Sequence, residues 1–202
     1  MQKLAVSNKI RRALVFKTGQ ITSYVTGDDG NYQVGESHNY EVLTTGQHSG
    51  TTNITLNGKT EVKSNACVLD RASGLMWART ISASVGPASN GLLPYTSATE
   101  SIFLYAAAAN AALYAGYGND PDPLKNWRVP TIFELYMQCN LEPPNGLPDA
   151  TAFPAQWLNV ASSTSLSNAP TTNYLYVAFG TGVVSNTAKT GTLSCPLVRG
   201  PL

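Results

Sequence analysis

The segment CVLDRASGLMWAR at 67–79 gives the first indication of the fold. Apolar residues lie on both sides of Ser73-Gly74, and a Ser-Gly pair marks a turn. The segment therefore predicts two strands joined by a tight turn. Upstream, TNITLNGKTEV at 52–62 alternates polar and apolar residues around Asn57-Gly58, the favoured turn of a two-residue β-hairpin. We predict a hairpin there and a further strand in NYEVLTT at 39–45.

The strongest helix candidate follows at residues 97–118. This segment is rich in alanine, the best helix former. Ser97 and Glu100 fit the S-x-x-E capping box at its start. Gly116 and Gly118 are placed to end it.

A second helix is predicted within residues 127–141. Pro130 is expected in its first turn, where the missing N–H is not needed. Thr131 and Glu134 form a second S/T-x-x-E pair. Phe133 is among the residues expected to supply apolar contacts.

The chain then returns to strands. Residues 173–187 predict a hairpin that turns at Gly180–Gly182, and residues 192–200 predict a closing strand. We expect the first and last strands to pair. Helices that lie between runs of strands indicate an α+β domain, with two helices packed on a mostly antiparallel sheet with long loops.

Three regions are predicted: a basic arm at 1–17, a β-rich lead-in at 18–66 and the main domain at 67–202. The arm's basic residues are Lys3, Lys9, Arg11, Arg12 and Lys17, and it contains no acidic residue. A solvated tail and an anchor that docks on an acidic partner surface both fit this pattern. The arm's apolar residues are interrupted by Arg11-Arg12, so neither an export signal nor a membrane span is predicted.

The composition favours an exterior protein. Only 12% of the 202 residues are charged, whereas 43% are hydrophobic and 38 are Ser or Thr. Hydroxyl and amide side chains must therefore keep the surface hydrated, as in adhesins, lectins and virion shells. Nucleic-acid binding is not expected, because no second basic cluster with interleaved aromatic residues occurs.

Catalytic chemistry is not expected. The only histidines, His38 and His48, lie in the polar lead-in, which we expect to be away from the compact region. Asp120 and Asp122 suit a turn better than paired acid–base work. The three cysteines at 67, 139 and 195 lack zinc-ligand spacing, and the sequence does not decide whether any two of them form a disulfide.

Calcium is the one metal that the sequence leaves open, although no cofactor is predicted. Oxygen-bearing side chains cluster at Asp28, Asp29 and Asn31 and again at Asn119, Asp120 and Asp122. Calcium takes six to eight oxygen ligands, so each cluster alone supplies too few. A turn is the simpler interpretation of both.

Saccharide binding requires aromatic faces for sugar rings and amides for hydroxyls. The candidate ligand-binding residues in the loops are Trp157, Asn159, Asn168, Asn173 and Tyr174. Trp157 fits a core position equally well. Trp77 and Trp127 lie within regular elements and are expected in the core.

Four sequence blocks resemble a known family. They are Val68-Leu69-Asp70 with Ser73-Gly74-Leu75-Met76-Trp77, Trp127-Arg128-Val129-Pro130-Thr131 with Glu134-Leu135, Ser162-Ser163-Thr164, and Tyr176-Val177-Ala178-Phe179 with Gly182 and Val198-Arg199-Gly200. In this order, over about residues 67–200, they resemble the Lcl C-terminal domain family, named from a bacterial collagen-like adhesin. Residues 18–33 are similar to the segment that often precedes this domain.

The resemblance implies a fold like that of C-type lectins and formylglycine-generating enzymes, a fold that several phage receptor-binding proteins share. It implies adhesion or carbohydrate recognition and assigns no catalytic residue. A formylglycine-type enzyme would need activated cysteines, which the sequence does not suggest. Trp77, Arg128 and Glu134 are expected to hold the fold rather than a ligand.

We therefore expect a non-enzymatic virion surface protein of a tailed phage, either a head decoration or fibre or a tail-tip receptor-binding protein. The basic arm would dock on other virion proteins, and the lectin-like domain would face a host-surface glycan or protein. A homo-oligomer is expected, and a trimer would suit fibres and capsid three-fold axes alike. The alternative is a secreted or surface bacterial adhesin.

Overall fold

The fold was taken from a computed structural model that describes residues 15–116, 126–142, 149–153 and 157–200. The described helices are α1 (Asp29–Tyr32), α2 (Ile102–Ala111) and α3 (Ile132–Met137), and 3-10 turns lie at Gly46–His48 and Tyr114–Gly116. The described strands are β1 (Tyr40–Leu43), β2 (Thr51–Leu56), β3 (Lys59–Ser64), β4 (Cys67–Asp70), β5 (Leu75–Ala78), β6 (Leu92–Pro94), β7 (Asn159–Ser165), β8 (Asn173–Ala178), β9 (Val183–Ala188), β10 (Thr192–Ser194) and β11 (Val198–Arg199). The predicted α+β class is confirmed. No helix in these ranges is long and apolar enough to cross a membrane.

The strands form two sheets and a separate hairpin. The four-stranded sheet has the order β1-β4-β5-β11, and the five-stranded sheet has the order β6-β10-β7-β8-β9. The predicted turn within 67–79 is confirmed, since β4 and β5 pair antiparallel with Val68 opposite Trp77. The predicted hairpin at 173–187 is confirmed as β8 and β9.

The expected pairing of the first and last strands is wrong. The first strand, β1, pairs with β4, with Val42 opposite Val68. The last strand, β11, pairs with β5 instead. Residues 192–200 also form two strands rather than one. Pro196, which has no N–H for a ladder, lies between β10 and β11, and the two strands join different sheets.

The β2–β3 hairpin follows the local turn chemistry. Asn57 and Gly58 both have positive φ, 49° and 73°, as a type I′ turn requires. Its buried face is unusual, however. Glu61 and Lys63 of β3 point into the protein, whereas the apolar Val62 is 65% exposed.

The predicted helix at 97–118 is α2. It is shorter than the sequence predicts, and its N-cap is a different residue from the predicted one. Ser101, not Ser97, is the N-cap, and its hydroxyl accepts from the Leu104 N–H at 3.2 Å. Ser97 instead accepts from the Glu100 N–H in a preceding turn. Positive φ at Leu113 and Ala115 stops the helix well before residue 118.

The predicted second helix is α3. It begins with the predicted capping box of Thr131 and Glu134, which is confirmed. Pro130 precedes the N-cap, so its expected place in the first turn is wrong. Phe133 is 79% exposed, so it does not supply the apolar contacts expected of it. Only six residues are helical, and the inward side of the helix is formed by Ile132 and Leu135.

The buried side chains form two clusters. Trp127 packs with α2 residues such as Tyr105 and Ala109 in one cluster, and Trp77 packs with Ile132 and Leu135 of α3 in the other. Both tryptophans are therefore core residues, as expected. Lead-in residues such as Ile54 belong to the first cluster, so the hairpin shares its core with the main domain.

All three cysteines are buried and free. Burial raises the pKa of the Cys67 and Cys139 thiols to about 12, and it also raises the pKa of Cys195. A raised thiol pKa lowers the thiolate fraction and hence the reactivity. The cysteines act as small core residues.

Candidate ligand-binding groove

The candidate site is an open groove of about 610 Å³ where the ends of β6, β10 and β7 meet the chain that follows β5. Its lining residues are Thr80, Ile81, Ser82, Ala83, Asn90, Leu92, Leu158, Asn159, Thr192, Leu193 and Ser194. The topology brings these distant segments together because β10 pairs with β6 on one side and with β7 on the other. The groove is therefore a property of the folded sheet and not of one sequence segment.

One wall of the groove, residues 80–83, is supported from beneath by two buried charged residues of β3. The Lys63 ammonium donates to the carbonyl oxygens of Thr80 (2.6 Å) and Ile81 (3.2 Å). The Glu61 carboxylate accepts from the Ala83 N–H at 2.8 Å. The inward face of β3 thus sets the position of this wall.

The charged pair is itself enclosed. Lys63 Nζ lies 3.6 Å from Glu61 Oε1, and the Tyr105 hydroxyl donates to the same carboxylate at 3.0 Å. Burial lowers the pKa of Lys63, while the Glu61 charge opposes that shift. Because both side chains are almost fully buried, they shape the groove without presenting charge to it.

The same wall is joined to the opposite side of the groove through Ser82. Its hydroxyl donates to the Gly91 carbonyl (2.5 Å) and accepts from the Cys195 N–H (2.8 Å). Gly91 has φ +77°, and a Cβ placed on it would lie 2.4 Å from the Ser82 carbonyl oxygen. A glycine is required for this close approach.

The described lining contains only neutral side chains. Hydroxyls come from Thr80, Thr192 and Ser194, and amides come from Asn90 and Asn159. Leucines supply the apolar part, and Leu158 is 62% exposed. Such a lining can hydrogen-bond hydroxyl groups and cover C–H faces, but it offers no ionisable group for proton transfer.

The structure brings one of the five predicted ligand residues to this groove. Asn159 lines it, whereas Asn168 is exposed outside it. Asn173 is half-buried and donates to the Asn186 side-chain oxygen at 3.0 Å. The expectation that Trp157 and Tyr174 offer ring faces to a ligand is wrong, because they are only 2% and 0% exposed.

The cause of the Trp157 burial is an aromatic cluster. Its ring centroid lies 5.8 Å from that of Trp77, 4.9 Å from that of Phe153 and 5.4 Å from that of Phe179. Aromatic pairs at these separations stabilise a core. Trp157 therefore takes the core position that the sequence also allowed.

The expectation that both histidines lie away from the compact region is wrong. His48 is buried, and burial lowers its pKa, as does the nearby Arg199 charge. His38 bridges two elements: its Nδ1 lies 2.8 Å from Asp70 Oδ2, and its Nε2 lies 2.7 Å from the Met137 carbonyl oxygen. The ring therefore joins Asp70 of β4 to the end of α3.

No nucleophile is aligned with His38 among the described residues. Ser73, which shares the Asp70 carboxylate with His38, donates its hydroxyl to Asp70 Oδ2 (2.7 Å) and not to the ring. A serine–histidine pair of the hydrolase type needs that hydrogen bond. His38 instead fastens the lead-in to the end of α3.

The first candidate calcium cluster is used by a turn. Asp28 caps α1, accepting from the Asn31 N–H, and also accepts from the Tyr24 N–H at 2.7 Å, a contact that lowers its pKa. Asp29 accepts from the Thr18 hydroxyl. In the part of the chain that the structure describes, no three or more His, Cys, Asp or Glu side chains come together in a way that could hold a metal ion. The second cluster, at 119–122, lies outside the described residues, as do the anchor residues Lys3, Lys9, Arg11 and Arg12.

Arg128 and Glu134 occupy structural positions. The guanidinium makes two hydrogen bonds to the carboxylate, at 2.8 and 2.6 Å, and a third to the Gly200 carbonyl. Glu134 also accepts from the Thr131 N–H at the start of α3. The carboxylate is held below its usual pKa, because these contacts outweigh a burial effect that acts in the opposite direction.

Fold and groove together define an α+β domain in which the described residues form three helices, two larger sheets, a separate hairpin and a neutral, hydroxyl-lined groove. The chain belongs to the Lcl C-terminal domain family, whose sequence profile matches residues 66–199. This match confirms the family that the sequence blocks indicated. Comparisons with curated proteins and with solved structures gave no significant match.

Proposed function

We propose that the chain is a non-enzymatic recognition protein whose groove binds a neutral carbohydrate on a host surface. The observation that carries this proposal is the uncharged lining, in which hydroxyls and amides alternate with leucine side chains. A sugar presents hydroxyl groups and C–H faces, and both need partners of these kinds. The buried Lys63–Glu61 support keeps the wall in place before a ligand arrives, which reduces the ordering cost of binding.

The non-enzymatic part rests on the same lining. Hydrolysis of a glycoside normally uses two carboxylates placed on either side of the bond. Acyl transfer needs a nucleophile next to a base. The described groove residues supply neither arrangement.

The proposal includes a C-type-lectin-like fold and a position on the outside of a tailed-phage virion, as a head decoration, a fibre or a tail-tip receptor-binding protein. The low charge and the high Ser and Thr content support an exterior position. The alternative is a secreted bacterial adhesin. Antibodies raised against the domain should label intact phage particles, whereas labelling of the bacterial surface alone would favour the adhesin.

A glycan array with matched asparagine variants tests the groove. Asn159 and Asn168 are both exposed, but only Asn159 lines the groove. Loss of one hydrogen bond of about 1 kcal/mol corresponds to about a fivefold weaker affinity. Asn159→Ala should therefore weaken binding about fivefold, and Asn168→Ala should leave it unchanged.

The array also tests the neutral character of the ligand. Because the described lining contains no cation, neutral glycans should bind in preference to sulfated or sialylated ones. Preferential binding of acidic glycans would contradict the proposal. Equal effects of the two asparagine variants would place the site elsewhere.

A further inference from the structure

We infer that β9 is a docking edge for a second copy of this chain, paired antiparallel about a two-fold axis. β9 is the last strand of the five-stranded sheet, so among the described residues no strand neighbours one side of its main chain. This inference is independent of the groove, because no residue of β8 or β9 lines it.

The register shows which groups of β9 point outward. The Asn173 N–H donates to the Ala169 carbonyl, and the Asn173 carbonyl accepts from the Leu166 N–H. Both groups therefore point away from β9, so Asn173 and Ala188 form a pair without mutual hydrogen bonds. In an antiparallel ladder the two kinds of pair alternate. The N–H and C=O groups of Val184 and Asn186 therefore point away from β8, and no described residue bonds to them.

The strand has none of the usual protection of a sheet edge. Proteins block edges with charged side chains, prolines, bulges or very short strands. β9 reads VVSNTA, pairs with β8 in an unbroken six-residue register, and exposes Val183 (52%) and Val184 (39%). By contrast β6, at the opposite end of the sheet, has three residues and ends at Pro94.

A second copy fits this edge. Two identical strands related by a two-fold axis perpendicular to them run antiparallel, and each contact then occurs twice. With the axis at Ser185, Val184 of each copy lies opposite Asn186 of the other, and each such pair exchanges two main-chain hydrogen bonds. Each Val183 then lies opposite a Thr187, no charges face each other, and the sheet continues from one protomer to the next.

Cysteine cross-linking tests this register. The two Ser185 side chains would meet at a non-hydrogen-bonded pair, where the Cα atoms are about 4.5 Å apart and a disulfide is readily accommodated. Asn186→Cys is the matched control, because the two copies of residue 186 would be out of register. Under mild oxidation, Ser185→Cys should give a covalent dimer and Asn186→Cys should give much less.

A proline variant supplies a second measurement. The Val184 N–H points outward, so Val184→Pro removes a donor that the fold does not use, and an edge strand tolerates it. Sedimentation analysis should show a dimer for the native chain and a monomer for Val184→Pro, with the same circular dichroism. A native monomer or trimer, equal cross-linking of both cysteine variants, or a dimer that survives the proline would overturn the inference.

Discussion

Replacing His38 with alanine removes the bridge between the lead-in and α3. The ring contacts the buried Asp70 carboxylate and the Met137 carbonyl, and it stacks between Phe16 and Tyr40 at centroid distances of 4.4 and 5.1 Å. The side chain is only 15% exposed, so water replaces these contacts poorly.

The magnitude follows from the contacts. A hydrogen bond to a charged group contributes about 1.5–3 kcal/mol and a neutral one about 1 kcal/mol. Each ring stack adds about 0.5–1.5 kcal/mol. Asp70 keeps donors from the Asn39 and Ala72 N–H groups and from the Ser73 hydroxyl, so the carboxylate is not stranded. We therefore expect His38→Ala to lower the free energy of unfolding by about 4 kcal/mol, near the low end of these combined contributions.

The assay is urea denaturation at pH 6, with a double-mutant cycle that adds Asp70→Asn. The coupling between the two positions should be about 1–2 kcal/mol, because one charge-assisted hydrogen bond joins them. Thr55→Ala, at an exposed position of the β2–β3 hairpin, serves as the control. A loss below about 1 kcal/mol for His38→Ala, or no coupling to Asp70, would refute this reasoning.

Three further predictions concern charge and capping. Burial opposes ionisation of Asp70, but hydrogen bonds from His38, Ser73 and Asn39 outweigh it and leave the pKa of the carboxylate lowered. A lowered folded-state pKa contributes stability that is present above the unfolded value of about 3.9 and is lost as pH falls through the folded value. Asp70→Asn should therefore flatten the loss of stability below about pH 4 in an acid titration followed by circular dichroism. Lys63→Met leaves Glu61 buried without its cation and should lower the free energy of unfolding by about 3 kcal/mol in thermal melts. Adding Glu61→Gln to this variant should recover part of that loss, and no recovery would contradict the ion-pair argument. Thr131→Ala removes the α3 cap and should lower the free energy of unfolding by about 1 kcal/mol in urea, whereas an unchanged midpoint would mean that the cap is redundant.

Local chemistry explains which elements could be predicted from the sequence. The Asn57-Gly58 turn and the Thr131–Glu134 capping box each depend on residues a few positions apart, and both form as expected. The inward face of β3 could not be read in this way. Strand alternation places Val62 on one face of β3 and Glu61 and Lys63 on the other. The charged face is the buried one because Tyr105 and residues 80–84, which are far away in sequence, supply its hydrogen-bond partners.

The groove could be predicted only in part, for the same reason. Its segments are far apart in sequence and meet through the pairing of β10 with both β6 and β7. Asn159 is the one lining residue among the five that the sequence predicts as ligand residues. An aromatic ring suits a sugar, which favours Trp157 as a ligand residue, but three aromatic neighbours enclose it. The sequence does show a glycine after Asn90, but an Asn-Gly pair suits many turns. It therefore does not by itself predict the close approach of Gly91 to residue 82.

The neutral groove beside residues 80–83 is the ligand site that we propose. A crystal structure of the chain with a saccharide selected on the glycan array tests it most directly. A sugar ring should contact Asn159 and the Thr80–Ala83 wall, with Lys63 still buried beneath. A saccharide bound away from that wall, for example beside Asn168, would contradict it.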